Sequence, residues 1–295
     1  MSINGSTKLY GIIGWPVHHS LSPQFQTHYL QQCGFNVAYL PFAVEPRFLE
    51  QALDGLWAVG VEGFNVTVPH KESVFQIVEP DADALLIGAV NTVRRGEKGW
   101  QGTNTDWQGM LAVIEGLAID IKGKDVLLFG AGGTAHAILH ALSKIGLNTL
   151  YVCNRNPDRL NAFLAFARHS YPDLACEAVA WKQQSVTERG QHAALLINST
   201  SIGLQDGQAF PFTLPGTGAA IDAVYCADGH TAFCRAALAT GRQAVDGLPM
   251  LIAQGAASFA WWHDCERPNY HLALQWMEHQ LGRRSEQLRG WSKEA

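Results

Sequence analysis

Short apolar runs alternate along the chain with longer stretches whose apolar residues recur every three or four positions. "KLYGIIG" reads as a strand. "SPQFQTHYLQQCG" then reads as a helix, with Ser22 as N-cap, Pro23 at the first helical position and Gly34 as its stop. "VAYLPFAV" is the next strand and "EPRFLEQALDGLWAVG" the next helix. "VEGFNVTVP" follows as a strand closed by Pro69, which has no ladder donor to offer. A second series begins near Lys122: "DVLLFGAGGTAHAILHALSKIG" is strand, glycine turn and helix, and "NTLYVCNR", "AALLINSTSIG" and "AAIDAVY" are three more strands. "PMLIAQGAASFAWWHDC" and "YHLALQWMEHQL" close the pattern as helices, with Trp261, Trp262 and Trp276 expected to pack internally. This alternation predicts an α/β protein with parallel sheets covered by helices.

A length of 295 residues with 47% hydrophobic content is enough for two domains. The formal net charge of −5 comes without any basic block, which argues against a nucleic-acid or anionic-membrane partner. The first residues, "MSINGSTKLYGIIGW", lack the pattern of a secretory signal, and no apolar run reaches the ~18 residues of a membrane helix. The six cysteines are scattered with no C-x-x-C, as expected of reduced thiols rather than a disulfide frame. A cytoplasmic location is therefore expected. His18, His19, His70 and His136 show no convergent ligand spacing, so no metal is expected.

"LLFGAGGTAHA" places Gly130, Ala131, Gly132, Gly133, Thr134 and Ala135 between an apolar strand and an amphipathic helix. Glycines let a backbone approach a pyrophosphate, and a helix N-terminus offers free N–H groups to its charge. The pattern G-x-G-G-x-A is weak alone and gains weight from the strand and helix around it. At the end of the following strand an NAD site usually carries an acid for the ribose hydroxyl. Here the chain reads Asn154, Arg155, Asn156 and then Arg159. Arginine suits a 2′-phosphate, so the expected cofactor is NADP.

Polar residues cluster at strand ends in the first half: Ser20 and Ser22, then Asn65, Thr67 and Lys71, then Asn91, and then Asn104, Thr105 and Asp106. Each alone is more often a cap or turn residue, and Lys71 alone would be an ordinary solvated lysine. Together they describe a hydroxyl- and amide-rich site with one lysine and one aspartate, suited to a polyhydroxylated anionic metabolite. Ligands in α/β sheets bind at the carboxyl ends of strands, which is where Lys71 falls.

"HSLSP", "NVTVPHK", "GAVNTV", "GTNTDWQG", "GAGGTA", "NRNPDR", "INSTSIG" and "DGLPMLIAQGA", in this order and spacing, resemble the shikimate dehydrogenases from about Tyr10 to about Trp262. The resemblance implies two α/β domains with a cleft between them. Residues 1–115, joined by C-terminal helices within 246–295, would bind substrate, and residues 116–245 would form a Rossmann-like NADP domain. It implies reversible NADPH-dependent reduction of 3-dehydroshikimate to shikimate, a step of chorismate and aromatic amino acid biosynthesis, by a monomer or homodimer. Lys71 and Asp106 would be catalytic. Ser20 and Ser22 would bind the substrate carboxylate, and Thr67, Lys71, Asn91, Asp106 and Gln254 its hydroxyls, with Tyr225 also facing it. Gly247 would lie near the nicotinamide amide, Ala223 in the nicotinamide pocket, and Asp83 would be a cofactor contact. The chain departs from the family pattern at Thr134 and His136, at Ala223, and at Cys226-Ala227-Asp228. These departures touch the pyrophosphate turn and the nicotinamide pocket and remove no catalytic group.

Three related protein classes and a sensing homologue share parts of this pattern. An NAD-dependent quinate or quinate/shikimate dehydrogenase would tend to carry a threonine at position 22 and an acid at 155. A paralogue with another substrate would keep the same catalytic pair, and a ligand-sensing homologue would not need it. A folate-linked dehydrogenase would share the architecture, but the serine pair and "NTD" do not suggest a pterin site.

Overall fold

The apolar runs of the first half form β1 (Lys8–Gly14), β2 (Val37–Ala43) and β3 (Val61–Val66), as the pattern predicts. The computed structural model describes residues 3–204, 207–283 and 288. Helix α1 (Ser22–Gln32) follows β1, and α2 (Leu49–Ala58), preceded by a 3-10 turn at Pro46–Phe48, follows β2. Gly34 ends α1 at a φ of +70°, the left-handed conformation glycine tolerates. The N-cap position of α1, however, is Leu21, with no side-chain cap. Ser22 is instead the first residue of the helix, and its side chain is buried.

Beyond β3 come α3 (Lys71–Phe75), the two-residue β4 (Glu79–Pro80), α4 (Ala82–Ile87), β5 (Thr92–Arg95) and β6 (Trp100–Thr103). The sheet order is β2-β1-β3-β5-β6-β4. β1 pairs in parallel with both β2 and β3, but β5 runs antiparallel to β3 and to β6. The first sheet is thus mixed, where alternation alone suggested parallel strands. The difference is the β5–β6 hairpin, whose Gly96–Gly99 turn is too short for a crossover helix. Ile13, Phe64, Val66 and Val93 form the interior on one face, with Trp100 set edge-on to Phe64 and Trp57 at 5.0 Å from each. Arg95 stacks over Trp57 at 3.9 Å. Of the three late tryptophans, Trp262 is buried and donates to the Val93 carbonyl (2.8 Å). Trp261 and Trp276 are half-buried, and the Trp261 ring carries the Arg94 guanidinium.

Helix α5 (Asp106–Gly116) leads to a second sheet. Its elements are β7 (Val126–Phe129), α6 (Gly133–Ser143), β8 (Thr149–Cys153), α7 (Pro157–Ser170), β9 (Ala175–Val179), α8 (Gln183–Gly190), β10 (Leu195–Asn198), β11 (Ala219–Asp222), α9 (Ala232–Leu238) and β12 (Gln243–Val245). Helices α10 (Leu248–His263) and α11 (Tyr270–Leu281) follow. All pairings in this sheet are parallel and the order is β12-β11-β10-β7-β8-β9. That is the doubly wound order, with its reversal between β7 and β10. Four of these six strands follow the apolar pattern of the sequence. β9 and β12 escaped it because both are edge strands, short and only partly apolar.

By contacts the chain forms two units: Met1–Gly109 with Leu251–Ala273, and Met110–Met250 with Leu274–Ala295. The helices within 246–295 therefore divide between the two, and residues 284–287 and 289–295 of that stretch lie outside the described residues. In the second unit, Arg242 is buried and its guanidinium donates to backbone carbonyls: Nε to Pro215 (2.8 Å) and Nη2 to Gly190 (2.8 Å) and Ala193 (3.1 Å). These carbonyls precede β10 and β11, at the amino ends of the strands. Burial pulls the Arg242 guanidinium down to about 10.

Candidate active site

In the first unit the chain after β3 turns through Thr67–His70 and enters α3 with Lys71 as its first residue. The His70 ring lies buried, 2.7 Å from the Val44 carbonyl. Among the described residues no cluster of three metal-binding side chains occurs. Lys71 Nζ donates to Asp106 Oδ2 at 2.5 Å, with side chains 13% and 7% exposed. Asp106 begins α5, and its own N–H is held by Asn104 Oδ1 (3.0 Å). A lysine and a carboxylate this buried and this close are held by their surroundings, because a charge left unpaired here would be costly.

Those surroundings are specific. Asn91 Nδ2 donates to Asp106 Oδ1 (2.6 Å), while Asn91 Oδ1 accepts from the Thr105 N–H (2.8 Å) and Thr92 Oγ1 (2.9 Å). The backbone donor fixes which way the amide faces, so its N–H₂ must point at the aspartate. Gln254 Oε1 accepts from Asn91 Nδ2 (3.1 Å) and Thr105 Oγ1 (3.2 Å). One turn along α10, Ser258 Oγ sits 2.7 Å from Thr92 Oγ1, 3.0 Å from Thr105 Oγ1 and 3.0 Å from Asn65 Nδ2. Asn65 Oδ1 accepts from the Tyr39 phenol (2.7 Å). Ser22 in turn hydrogen-bonds Tyr39, whose phenol burial pushes well above its ordinary range.

The structure therefore joins Lys71, Asp106, Asn91 and Gln254 directly, and links Ser22 to them through Tyr39 and Asn65. Ser20 Oγ accepts the Ser22 N–H (3.2 Å), the service expected of a cap. Thr67 is half-buried, and among the described residues its hydroxyl has no hydrogen-bond partner. Asp83 lies in the first turn of α4, in the same unit. Tyr39 and Ser258 were not found from the sequence. Ser258 had a signal, since it lies four residues after Gln254 and so on the same helix face.

In the second unit, Gly130 closes β7 at a φ of +112°, and its N–H reaches the Cys153 carbonyl (2.9 Å). A Cβ there would stand 2.3 Å from Ser199 Oγ, so the turn requires glycine. Gly132 sits at the N-cap of α6, with open space where a Cβ would be, no side-chain cap and no acid in the first turn. A helix start with no side-chain cap and with room at Gly132 suits an anion. Ala131, Gly133 and Thr134 are half-buried around this turn, and Ala135 is buried against the sheet. His136 stacks on Phe166 (4.5 Å) and meets Phe163 edge-on, which takes its ring into the α6–α7 contact.

After β8, Asn154 Nδ2 donates to the Asn156 carbonyl (2.8 Å), and Asn156 caps α7 through the Arg159 N–H (3.0 Å). Arg155 and Arg159 are exposed, and among the described residues neither guanidinium has an ion pair or hydrogen bond. Two unengaged guanidiniums beyond the second strand fit a dinucleotide with a ribose phosphate. At the tip of β11, Asp222 accepts from Asn198 Nδ2 (2.8 Å), the Val224 N–H (3.0 Å) and Thr231 Oγ1 (2.6 Å). Burial nevertheless lifts its carboxyl to about 7. Ala223 and Gly247 are neighbours: the Gly247 N–H reaches the Val224 carbonyl (2.9 Å), and a Cβ at 247 would lie 2.4 Å from the Ala223 oxygen. Tyr225 follows on the same segment.

Residues 12–93 match the family model described as the shikimate dehydrogenase substrate binding domain. Shikimate dehydrogenase (NADP(+)) of Thermosynechococcus vestitus is 38% identical over 268 residues, covering 88% of this chain and 91% of that protein. The crystal structure of shikimate dehydrogenase from Aquifex aeolicus is similar at a TM-score of 0.82 and 35% identity, over 93% of this chain and 98% of that one. The Thermus thermophilus shikimate 5-dehydrogenase in complex with NADP(H) and shikimate is similar at a TM-score of 0.77 and 33% identity, over 91% and 99%. Likeness of this depth, running through both sheets, places the chain in the shikimate dehydrogenase family.

Proposed function

We propose that the protein reversibly reduces 3-dehydroshikimate to shikimate with NADPH, acting in the cytoplasm, and that Lys71 and Asp106 carry the proton chemistry. The observation that supports this most directly is the buried 2.5 Å contact between them at the carboxyl end of β3. NADPH supplies a hydride to the ketone carbon. The oxygen then gathers negative charge, which a fixed ammonium stabilises and to which it can pass a proton. In the reverse direction the same pair accepts the hydroxyl proton. Asp106, held on its other oxygen by Asn91, orients the lysine.

The first unit is the substrate unit in this reading. Ser20 and Ser22 take the carboxylate, Thr67 offers an uncommitted hydroxyl, and Asn91 and Gln254 take ring hydroxyls. The second unit holds the cofactor: the α6 N-terminus and Gly132 receive the pyrophosphate, and Arg155 with Arg159 receives the 2′-phosphate. Asn154 lies beside the ribose. Ala223 and Gly247 lie toward the nicotinamide, Tyr225 faces the substrate, and Asp83 is a further cofactor contact.

The test is a set of initial rates for shikimate and quinate oxidation, each with NADP⁺ and NAD⁺ at matched concentrations. Shikimate with NADP⁺ should lead clearly. A preference for quinate would overturn the serine-pair assignment, and a preference for NAD⁺ would overturn the arginine assignment. No turnover with any pair would remove the proposed activity.

A further inference from the structure

Arg283, two residues beyond α11, is a buried arginine near the carboxyl ends of the second sheet. Its Nη2 donates to Asp246 Oδ1 (2.6 Å) and its Nη1 to Asp246 Oδ2 (2.8 Å), with side chains 7% and 1% exposed. The same Nη1 also donates to the Cys226 carbonyl (2.8 Å). Asp246 Oδ2 accepts the Cys226 N–H (3.3 Å) and Asp246 Oδ1 the Leu248 N–H (3.4 Å). Gly229, at a φ of +75°, leaves room for the guanidinium, since a Cβ there would stand 3.0 Å from Nη1. One planar fork therefore grips the residue after Tyr225 and the residue before Gly247. Lysine, a point charge with no fork, cannot hold the two carboxylate oxygens and the carbonyl in one plane.

We propose that Arg283 is a positioning residue for the reaction: by tying Asp246 to the Cys226 carbonyl it fixes the segments that carry Tyr225 and Gly247 in one register. The proposal rests on the placing of Tyr225 toward the substrate and Gly247 toward the nicotinamide. Arg242 provides the contrast, being still more buried but bonded to carbonyls at the amino ends of the strands. A merely structural arginine should behave as Arg242 does.

The experiment compares Arg283→Lys and Arg242→Lys with the parent protein. It reads amide hydrogen exchange at residues 224–226 and 246–248, NADP⁺ affinity by calorimetry, kcat, KM and the thermal midpoint. In Arg283→Lys, protection of those amides and kcat/KM should each fall about 10-fold or more, the scale of one lost charge-assisted hydrogen bond. NADP⁺ affinity should weaken with them. Arg242→Lys should lower the thermal midpoint while protection at those amides and the kinetic constants stay within about twofold, the scale of substitutions far from a site. Should Arg283→Lys fail to fold, the pair Arg283→Gln with Asp246→Asn removes both charges and is read in the same way. Unchanged protection and kinetics in the Arg283 variants, or equal losses in both arginine variants, would overturn the proposal. If the parent protein neither binds NADP⁺ nor turns over shikimate, the functional reading fails, while the exchange data still decide the clamp.

Discussion

The candidate site in the first unit is made of side chains, whereas that in the second is made largely of backbone. Lys71, Asp106, Asn91, Gln254 and Ser258 interlock through side-chain hydrogen bonds of 2.5–3.1 Å. Around Gly130 and Gly132 the features that matter are a φ of +112°, an uncapped helix start and the space a side chain would fill. The two arrangements suit different tasks. A reacting oxygen needs a group of defined charge at one place, and low local dielectric makes that group's hydrogen bonds strong. A pyrophosphate needs several N–H donors and close approach, which glycine and a helix end provide. Substitution in the first unit should therefore change turnover, and substitution in the second cofactor affinity.

The sharpest way to break that comparison is Asp106→Asn. It keeps the shape but removes the charge beside Lys71, and kcat for shikimate oxidation should fall on the order of 10²-fold, with KM for NADP⁺ little changed. A normal kcat would deny the paired role. Arg155→Ala acts on the other side: KM for NADP⁺ should rise about 10-fold, as expected for a lost charge-assisted hydrogen bond, and that for NAD⁺ should stay put. Equal changes for both cofactors would mean Arg155 does not read the phosphate. Ser258→Ala removes one hydroxyl from behind the first site. A loss of about 1 kcal/mol, hence roughly 5-fold in kcat/KM for shikimate, is the expected effect, and steady-state kinetics would show it.

Asp222 acts on stability rather than on rate. Its folded carboxyl titrates at about 7 against an ordinary value of 3.8. Between those values the folded protein holds a proton that the unfolded chain has released. This contribution to stability is full below about pH 4 and lost as pH rises through about 7. Subtracting the thermal midpoints of Asp222→Asn from those of the parent should leave a difference that declines from about pH 4 to about pH 7 and is level above that. A flat difference would mean the carboxyl is not shifted.

The same contrast explains what the sequence made legible. The β7–Gly130–α6 turn could be read because backbone demands single out glycine, and Lys71 could be placed because Pro69 marks a strand end. The interior network could not. Asn65 meets Ser258 across 193 positions and Tyr39 across 26, separations that only the folded topology brings together. Ser22 looked like a cap because the S-P pair has that local signature, but Tyr39 draws its side chain inward. The β5–β6 hairpin and the edge strands β9 and β12 were missed for want of a strong apolar period.

The central claim is that the charge at the end of β3 performs the chemistry. It is tested most directly by the single-turnover rate of 3-dehydroshikimate reduction in Lys71→Ala, with NADPH and substrate at saturating concentrations. NADPH should bind normally and the rate should fall on the order of 10²-fold or more. An unchanged rate would contradict it.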